Sequence, residues 1–303
     1  MNFNPDSGKL MTPELFAKVD PRVREMAEGM LDGPGFDEMD PLELRHATRE
    51  FLFRETPLPV AGLARVDDRT IPGPAGALPI RVYTPEGQGP FPVMMYFHGG
   101  GFIAGDLDTQ DNVCRMCCGA SGFVVVSVDY RLGPESPFPA GPEDCYAATV
   151  WVASNAAEIQ GDPSRVVVMG ESAGGNLAAV VCLMAKDRKG PVVRHQIIVY
   201  GGFYQPKWNI AYYGEEQNIR HPYVSPLLAP DLVGLPAATF IAAECDTCTA
   251  QCVAYAHRLM EAGVETHYFV YPGMIHGFLG DERLEACHQA IGDLAAMARK
   301  AIA

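Results

Sequence analysis

The sharpest chemical signal in the chain is Gly170-Glu171-Ser172-Ala173-Gly174. Serine is a weak nucleophile until a base takes its proton, and Gly-x-Ser-x-Gly suits a sharp strand-to-helix turn that exposes one. Small residues two positions either side let strand and helix approach, while the backbone at the serine is strained. The flanks have the required form, with the strand-like run Arg165–Met169 before the turn and a helical pattern from Ala173 after it. A helix N-terminus beneath Ser172 adds positive partial charge that favours an oxyanion. The competing reading is a tight turn without chemistry.

A second segment, His98-Gly99-Gly100-Gly101-Phe102, follows the strand-like run Val93–Phe97. Consecutive glycines leave backbone N–H groups unshielded, so Gly100 and Gly101, with Ala173 of the turn, can donate to an oxyanion. A phosphate-binding loop would end in Gly-Lys-Ser/Thr, and this segment has no lysine. His98 and Gly99 read as supports of that loop. Glu171 reads as a brace of the loop network rather than a proton carrier. For the base, His276 stands out among eight histidines because it lies in the turn-rich stretch Pro272–Phe278 after the strand Thr266–Tyr271. His267 falls inside that strand and His288 on the last helix. For the acid, Asp246 follows the strand Ala237–Ala243 and precedes a helix, where a simple N-cap is the bland alternative. Ser172, Asp246 and His276 in that order compose a nucleophile, an orienting acid and a base.

These groups need a scaffold. From Ala64 onward the pattern alternates strands and helices. Strands are expected at Ala64–Ile71, Leu78–Tyr83, Val93–Phe97, Phe123–Asp129, Arg165–Met169, Gln196–Tyr200, Ala237–Ala243 and Glu265–Val270. Continuous apolar runs such as Phe123–Val126 suit strands buried on both faces of a parallel sheet. Helices fit between them at about Thr109–Ala120, Gly141–Ser154, Ala173–Lys186, Thr247–Ala262 and Asp281–Ala301. The expected class is α/β with helices on both faces, and such sheets bind ligands at the carboxyl ends of the strands. The first 55 residues differ. Leu15, Val19, Val23, Met26 and Met30 recur at helical spacing, a second helix runs from Pro41 to Phe53, and Thr56–Pro59 reads as a linker.

Among 303 residues, 48% are apolar and 20% charged, so a core is assured. Lys and Arg total 23 against 37 Asp and Glu, a net charge of −14 that argues against a nucleic-acid partner. The longest apolar run, Ala178–Ala185, is far short of the roughly 18 residues a membrane span needs. The first residues lack a signal peptide's basic start and apolar stretch. Nine cysteines, an odd number, suit a reducing cytoplasm better than a disulfide framework, although a chain trimmed of its signal stays open.

Further motifs carry a resemblance. Gly105-Asp106-Leu107-Asp108-Thr109, Asp129-Tyr130-Arg131-Leu132-Gly133-Pro134-Glu135, Ser225-Pro226-Leu227-Leu228 and His276-Gly277-Phe278 stand in order around the two glycine motifs. Over roughly residues 60 to 300 the chain resembles the hormone-sensitive lipase-like family of α/β hydrolases, in its bacterial carboxylesterase branch. The resemblance implies an α/β-hydrolase fold: a mostly parallel eight-stranded sheet, helices on both faces, and a small helical cap. It implies a cap over residues 1–55, a catalytic domain over 56–303, and hydrolysis of small short- to medium-chain esters without metal or organic cofactor. Similar proteins commonly dimerise through a sheet edge and the last helix, though nothing in this sequence demands a homodimer.

Three departures bear on that implication. The Asp129 motif has Gly133 and Ser136 where Ala-Pro-Glu-His is usual. The acid loop, usually Asp-Pro-Leu-x-Asp/Glu, reads Asp246-Thr247-Cys248-Thr249-Ala250, so its usual supports are lost. The stretch between Tyr200 and Ser225 is short, which predicts a shortened second cap segment, about 203–222, and a more open pocket. Phe16, Phe203, Tyr204 and Trp208 are candidate pocket residues, with core packing as their alternative. Cys114, Cys117 and Cys118, like Cys245, Cys248 and Cys252, have metal-like spacing, but both groups fall on expected helices and read as packing. Oxidation near Asp246 would disturb the acid. The same groups could serve an amide or lactone substrate. A metal-dependent hydrolase and a non-catalytic ligand-binding relative are the rivals, the latter having no need of His276.

Overall fold

A computed structural model of the chain describes residues 9–35, 38–205 and 209–303. Three short helices come first: α1 (Pro13–Phe16), α2 (Arg24–Asp32) and α3 (Pro41–Leu52). The stripe from Leu15 to Met30 is not one helix. Asp20 and Pro21 interrupt it, because proline lacks an N–H and disfavours helical backbone in the residue before it. α3 begins at a capping box, in which Asp40 accepts from the Leu42 and Glu43 amides while Glu43 returns a bond to the Asp40 amide.

The remainder builds the sheet. In chain order it runs β1 (Leu63–Gly73), β2 (Gly76–Pro85), β3 (Phe91–Phe97), α4 (Asp111–Ser121), β4 (Val124–Val128), α5 (Ala140–Asn155), β5 (Gly161–Glu171), α6 (Ala173–Asp187), β6 (His195–Val199), α7 (Ile210–Tyr213), β7 (Ala237–Cys245), α8 (Thr249–Glu261), β8 (Thr266–Ile275) and α9 (Glu285–Ala301). All eight expected strands form. They make one sheet in the order β1-β2-β4-β3-β5-β6-β7-β8. β1–β2 and β2–β4 pair antiparallel and the other neighbours pair parallel.

Alternate side chains of one strand feed opposite cores, as the strand period of two requires. Met95 and Phe97 of β3 join Leu177, Val181 and Leu259 from α6 and α8. Met94 and Tyr96 join Cys114, Ile291 and Leu294 from α4 and α9. Parallel register aligns Phe97 with Gly170 and Glu171 with Val199, so the ends of β3, β5 and β6 meet at one edge. Among the described residues no helix is long and apolar enough to cross a membrane.

Two boundary expectations need correction. β8 continues to Ile275, so Pro272–Ile275 is strand rather than loop and His276 follows it directly. The β7–β8 pairing shifts register between Ala243 and Cys245, and Gly273, at φ 68, there accepts a backbone bond from Asp20. Cys245 closes β7 instead of lying on a helix, so it shares no helical face with Cys248 and Cys252. All nine cysteines are free thiols.

Candidate active site

The turn between β5 and α6 leaves Ser172 at φ 54 and ψ −117, a strained backbone for a residue with a side chain. Its amide donates to the Val199 carbonyl at 2.9 Å, which ties the turn to β6. Glycine at 174 is a steric requirement, since a Cβ there would run into the Phe97 and His98 carbonyls. Helix and neighbouring strand therefore touch through backbone.

Ser172 meets the end of β8. Its Oγ lies 2.8 Å from His276 Nε2, and His276 Nδ1 lies 2.8 Å from Asp246 Oδ2. Residues 104 and 30 positions apart thus form one continuous hydrogen-bonded run. Burial works against a charged imidazole, but the charge and hydrogen bond of Asp246, aided by Glu171, outweigh it and raise the pKa of His276 above its ordinary 6.5. The acid loop finds supports other than the usual proline and second acid. The Cys248 amide donates to Asp246 Oδ1 at 2.8 Å, Thr249 Oγ1 donates to the Ala243 carbonyl at 2.6 Å, and the Thr247 amide donates to the Leu10 carbonyl at 3.3 Å.

The glycine loop faces Ser172 from the end of β3. Gly100 holds φ 116, and a Cβ there would strike the Ala104 carbonyl, so only glycine closes this turn. Beneath it His98 is fully buried, stacked on Tyr130 at 4.2 Å between ring centroids, with Nδ1 2.7 Å from the Gly99 carbonyl oxygen. Burial lowers its pKa to about 4, so the ring stays neutral. Ala173, the first residue of α6, stands at the helix N-terminus beside Ser172. Glu171 is buried, which raises its pKa, and the Tyr200 hydroxyl donates to its Oε2 at 2.5 Å. It is a braced group within the loop network.

A cavity of about 700 Å³ opens over these residues. Gly99, Gly100, Gly101, Ser172, Tyr200 and His276 form its floor, and Met26, Met30, Met39, Leu44, Phe51 and Leu52 form an apolar roof. Two arginines at the wall are paired with carboxylates: Arg22 forks onto Asp20, and Arg283 onto Asp281. A polar floor under an apolar roof suits a small molecule having one polar group and one apolar arm.

The expected aromatic lining is not what the structure has. Phe203 is fully buried beneath the sheet edge, stacked on Tyr255 at 4.4 Å and edge-on to Phe240, so it is core. Phe16 packs beside α2 under the Arg24 guanidinium, 4.5 Å from its ring centre, and does not line the cavity. Tyr204 is half-buried, its amide on Gln251 Oε1 at 2.7 Å, and it too is absent from the lining. Trp208 lies outside the described residues. None of the described residues between 203 and 222 lines the cavity.

The expected N-terminal cap came without its lining side chains, and Tyr200 was not singled out. Tyr200 sits at the end of β6 with its ring 4.8 Å from that of His276, and only the sheet order brings them together. Met26 and Met30 did carry a signal, the i, i+4 stripe of the N-terminal segment, whose target the sequence does not name.

Residues 94–280 match the model of a family described as alpha/beta hydrolase fold. Carboxylic ester hydrolase LipN of Mycobacterium tuberculosis is 40% identical over 242 residues, 71% of this chain and 64% of LipN, so this chain spans just under two thirds of that relative. An arylesterase of Saccharolobus solfataricus is 35% identical over 291 residues, covering 88% of this chain and 94% of the relative. The solved structure of a hyperthermophilic esterase from Pyrobaculum calidifontis superposes with a TM-score of 0.85 at 34% identity, over 94% of this chain and 100% of that one.

Proposed function

Since the chain belongs to the α/β-hydrolase fold family, in its hormone-sensitive lipase-like, bacterial carboxylesterase branch, we propose that it is a serine carboxylesterase acting on short- to medium-chain acyl esters. The observation that carries the reading is the hydrogen-bonded run from Asp246 through His276 to Ser172, 2.8 Å at each link, on the floor of the cavity. The names of similar proteins support the same reaction class.

In this reading Ser172 Oγ attacks the ester carbonyl while His276 Nε2 takes its proton. Asp246 holds the Nδ1–H tautomer and stabilises the imidazolium that forms. The amides of Gly100, Gly101 and Ala173 receive the oxyanion, each worth roughly 3–4 kcal/mol in comparable sites. His276 then protonates the leaving alcohol, and water repeats the sequence on the acyl-enzyme. The acyl or alcohol arm lies against the methionine-rich roof of α2 and α3, which acts as a cap over the site. Nine free thiols suit a reducing compartment, and the reading puts the enzyme in the cytoplasm.

The test is hydrolysis of p-nitrophenyl esters from acetate to palmitate, wild type beside Ser172→Ala. Activity that peaks at short or medium chains and vanishes in the variant is expected. Full activity in Ser172→Ala would remove Ser172 as the nucleophile. A folded wild type inert on every ester would overturn the esterase reading.

A further inference from the structure

The acid loop contains a group that the proposed reaction does not use. Cys248 follows Asp246 by two residues, at the position where the resembled family has leucine. Its amide donates to Asp246 Oδ1 at 2.8 Å. Among the described residues, one donor atom each from Asp246, Cys248 and His276 lie within 4.8 Å of one another. Asp246 and His276 are buried, and Cys248 is partly exposed as a residue.

Thiolate, imidazole and carboxylate are the donors that a borderline-soft divalent ion prefers. Tetrahedral zinc, with bonds of about 2.3 Å to sulfur and about 2.0–2.1 Å to nitrogen and oxygen, holds its donors roughly 3.3–3.6 Å apart. The donors here lie within 4.8 Å of one another, wider than that by up to about an ångström. The sulfur must move inward by about an ångström, and Nδ1 and Oδ2, now 2.8 Å apart, must separate slightly.

We propose that Asp246, Cys248 and His276 form a binding site for a thiophilic divalent cation such as Zn²⁺, and that its occupation switches the enzyme off. Binding stands on the donor set alone; switching rests on the reading of Ser172 as nucleophile and His276 as its base. The ion takes Cys248 as thiolate, so a metal–sulfur bond replaces S–H and that proton goes to solvent. It also takes the Nδ1 lone pair, so the imidazole proton moves from Nδ1 to Nε2. Nε2–H then only donates towards Ser172 Oγ, and the base is lost. No electron is transferred, and water fills the fourth position.

The experiment uses the full chain stripped of metal by chelator, with Co²⁺ as a spectroscopic probe. Wild type and Ser172→Ala should both show a thiolate-to-cobalt charge-transfer band and tetrahedral visible bands, and Cys248→Ser should lose them. Zn²⁺ should displace cobalt and suppress wild-type hydrolysis of p-nitrophenyl butyrate, with chelator restoring it. In both Cys248→Ser and Cys248→Leu the half-inhibiting Zn²⁺ concentration should rise by at least about tenfold, relative to each variant's own metal-free rate. A wild type without the thiolate band, or a Cys248→Ser variant that keeps either the band or wild-type zinc sensitivity, overturns the site. A normal band in a protein with no esterase activity leaves the site standing and removes the functional reading instead.

Discussion

Helix α6 buries 13 of its 15 residues, whereas α2 and α3 bury one each, Ala27 and Leu44. The first helix is apolar on every side and is enclosed by sheet and neighbouring helices, so packing alone specifies it. Its N-terminus is set by backbone contact at Gly174 and by strain at Ser172. The roof helices have too little buried surface for that. α2 is held by Ala27 with Met26 and Met30 packed beside it, and α3 by a capping box at Asp40 and arginines that reach down to the sheet domain. Arg45 Nε donates to the Ile103 carbonyl at 2.8 Å, its Nη2 donates to the Gly133 carbonyl at 2.9 Å, and its fork holds Glu135. Arg49 reaches Asp106 at 2.8 Å. The contrast is physical: in the proposed reading the reacting groups tolerate little displacement and stand where close packing permits none. In the same reading the roof must open to admit substrate, and elements with few buried contacts open at low free energy.

The contrast can be broken first at the floor. Asp246→Asn should lower kcat by about 10⁴-fold, the scale of losing the correct tautomer in such a triad, while leaving cavity and roof intact. In the wild type, kcat/KM should fall as pH drops through a value above 6.5, because the pKa of His276 is raised and only its neutral form accepts the serine proton. An inflection at or below 6.5 in the pH profile would contradict the coupling to Asp246. Gly174→Ala should destabilise the fold by more than about 3 kcal/mol in chemical denaturation, since its methyl meets carbonyls that cannot retreat. A stable, active variant would mean that the helix can shift away from β3.

Changes at the roof should be milder. Arg45→Ala loses hydrogen bonds to two carbonyls, so KM for a hexanoyl or octanoyl ester should rise about fivefold, equivalent to about 1 kcal/mol. Acetate turnover should change little, because a short arm touches less roof. Equal losses across the chain-length series would show that Arg45 supports the glycine loop rather than the roof. Asp40→Ala, the smallest change, should reduce stability by about 1 kcal/mol through its lost cap, measured by urea unfolding.

How far the sequence could be read divides along similar lines. The elbow, the glycine loop and the order of Ser172, Asp246 and His276 were legible because each is a local constraint: a spacing of small residues, or a position just after a strand. The strands were legible for the same reason, since β-branched and apolar runs report burial on both faces. The pocket was not. Phe203 and Met30 are both large and apolar, yet one is core and the other roof. Nothing local distinguishes them, since the difference lies in which distant surface each one meets.

The amino-acid sequence by itself determined the fold class, the strained serine turn and the placement of Ser172, Asp246 and His276 just after strands, because turn chemistry and hydrophobic period act over a few residues. Tertiary structure alone decided what surrounds them. Sheet order put Tyr200 against His276, and the shifted β7–β8 register left Cys245 on its strand while Cys248 closed on Asp246. Docking of α2 and α3 chose the methionines over the expected aromatics as the cavity wall. These are contacts between segments far apart in the chain, and their selection depends on the packing of the whole domain rather than on any local preference.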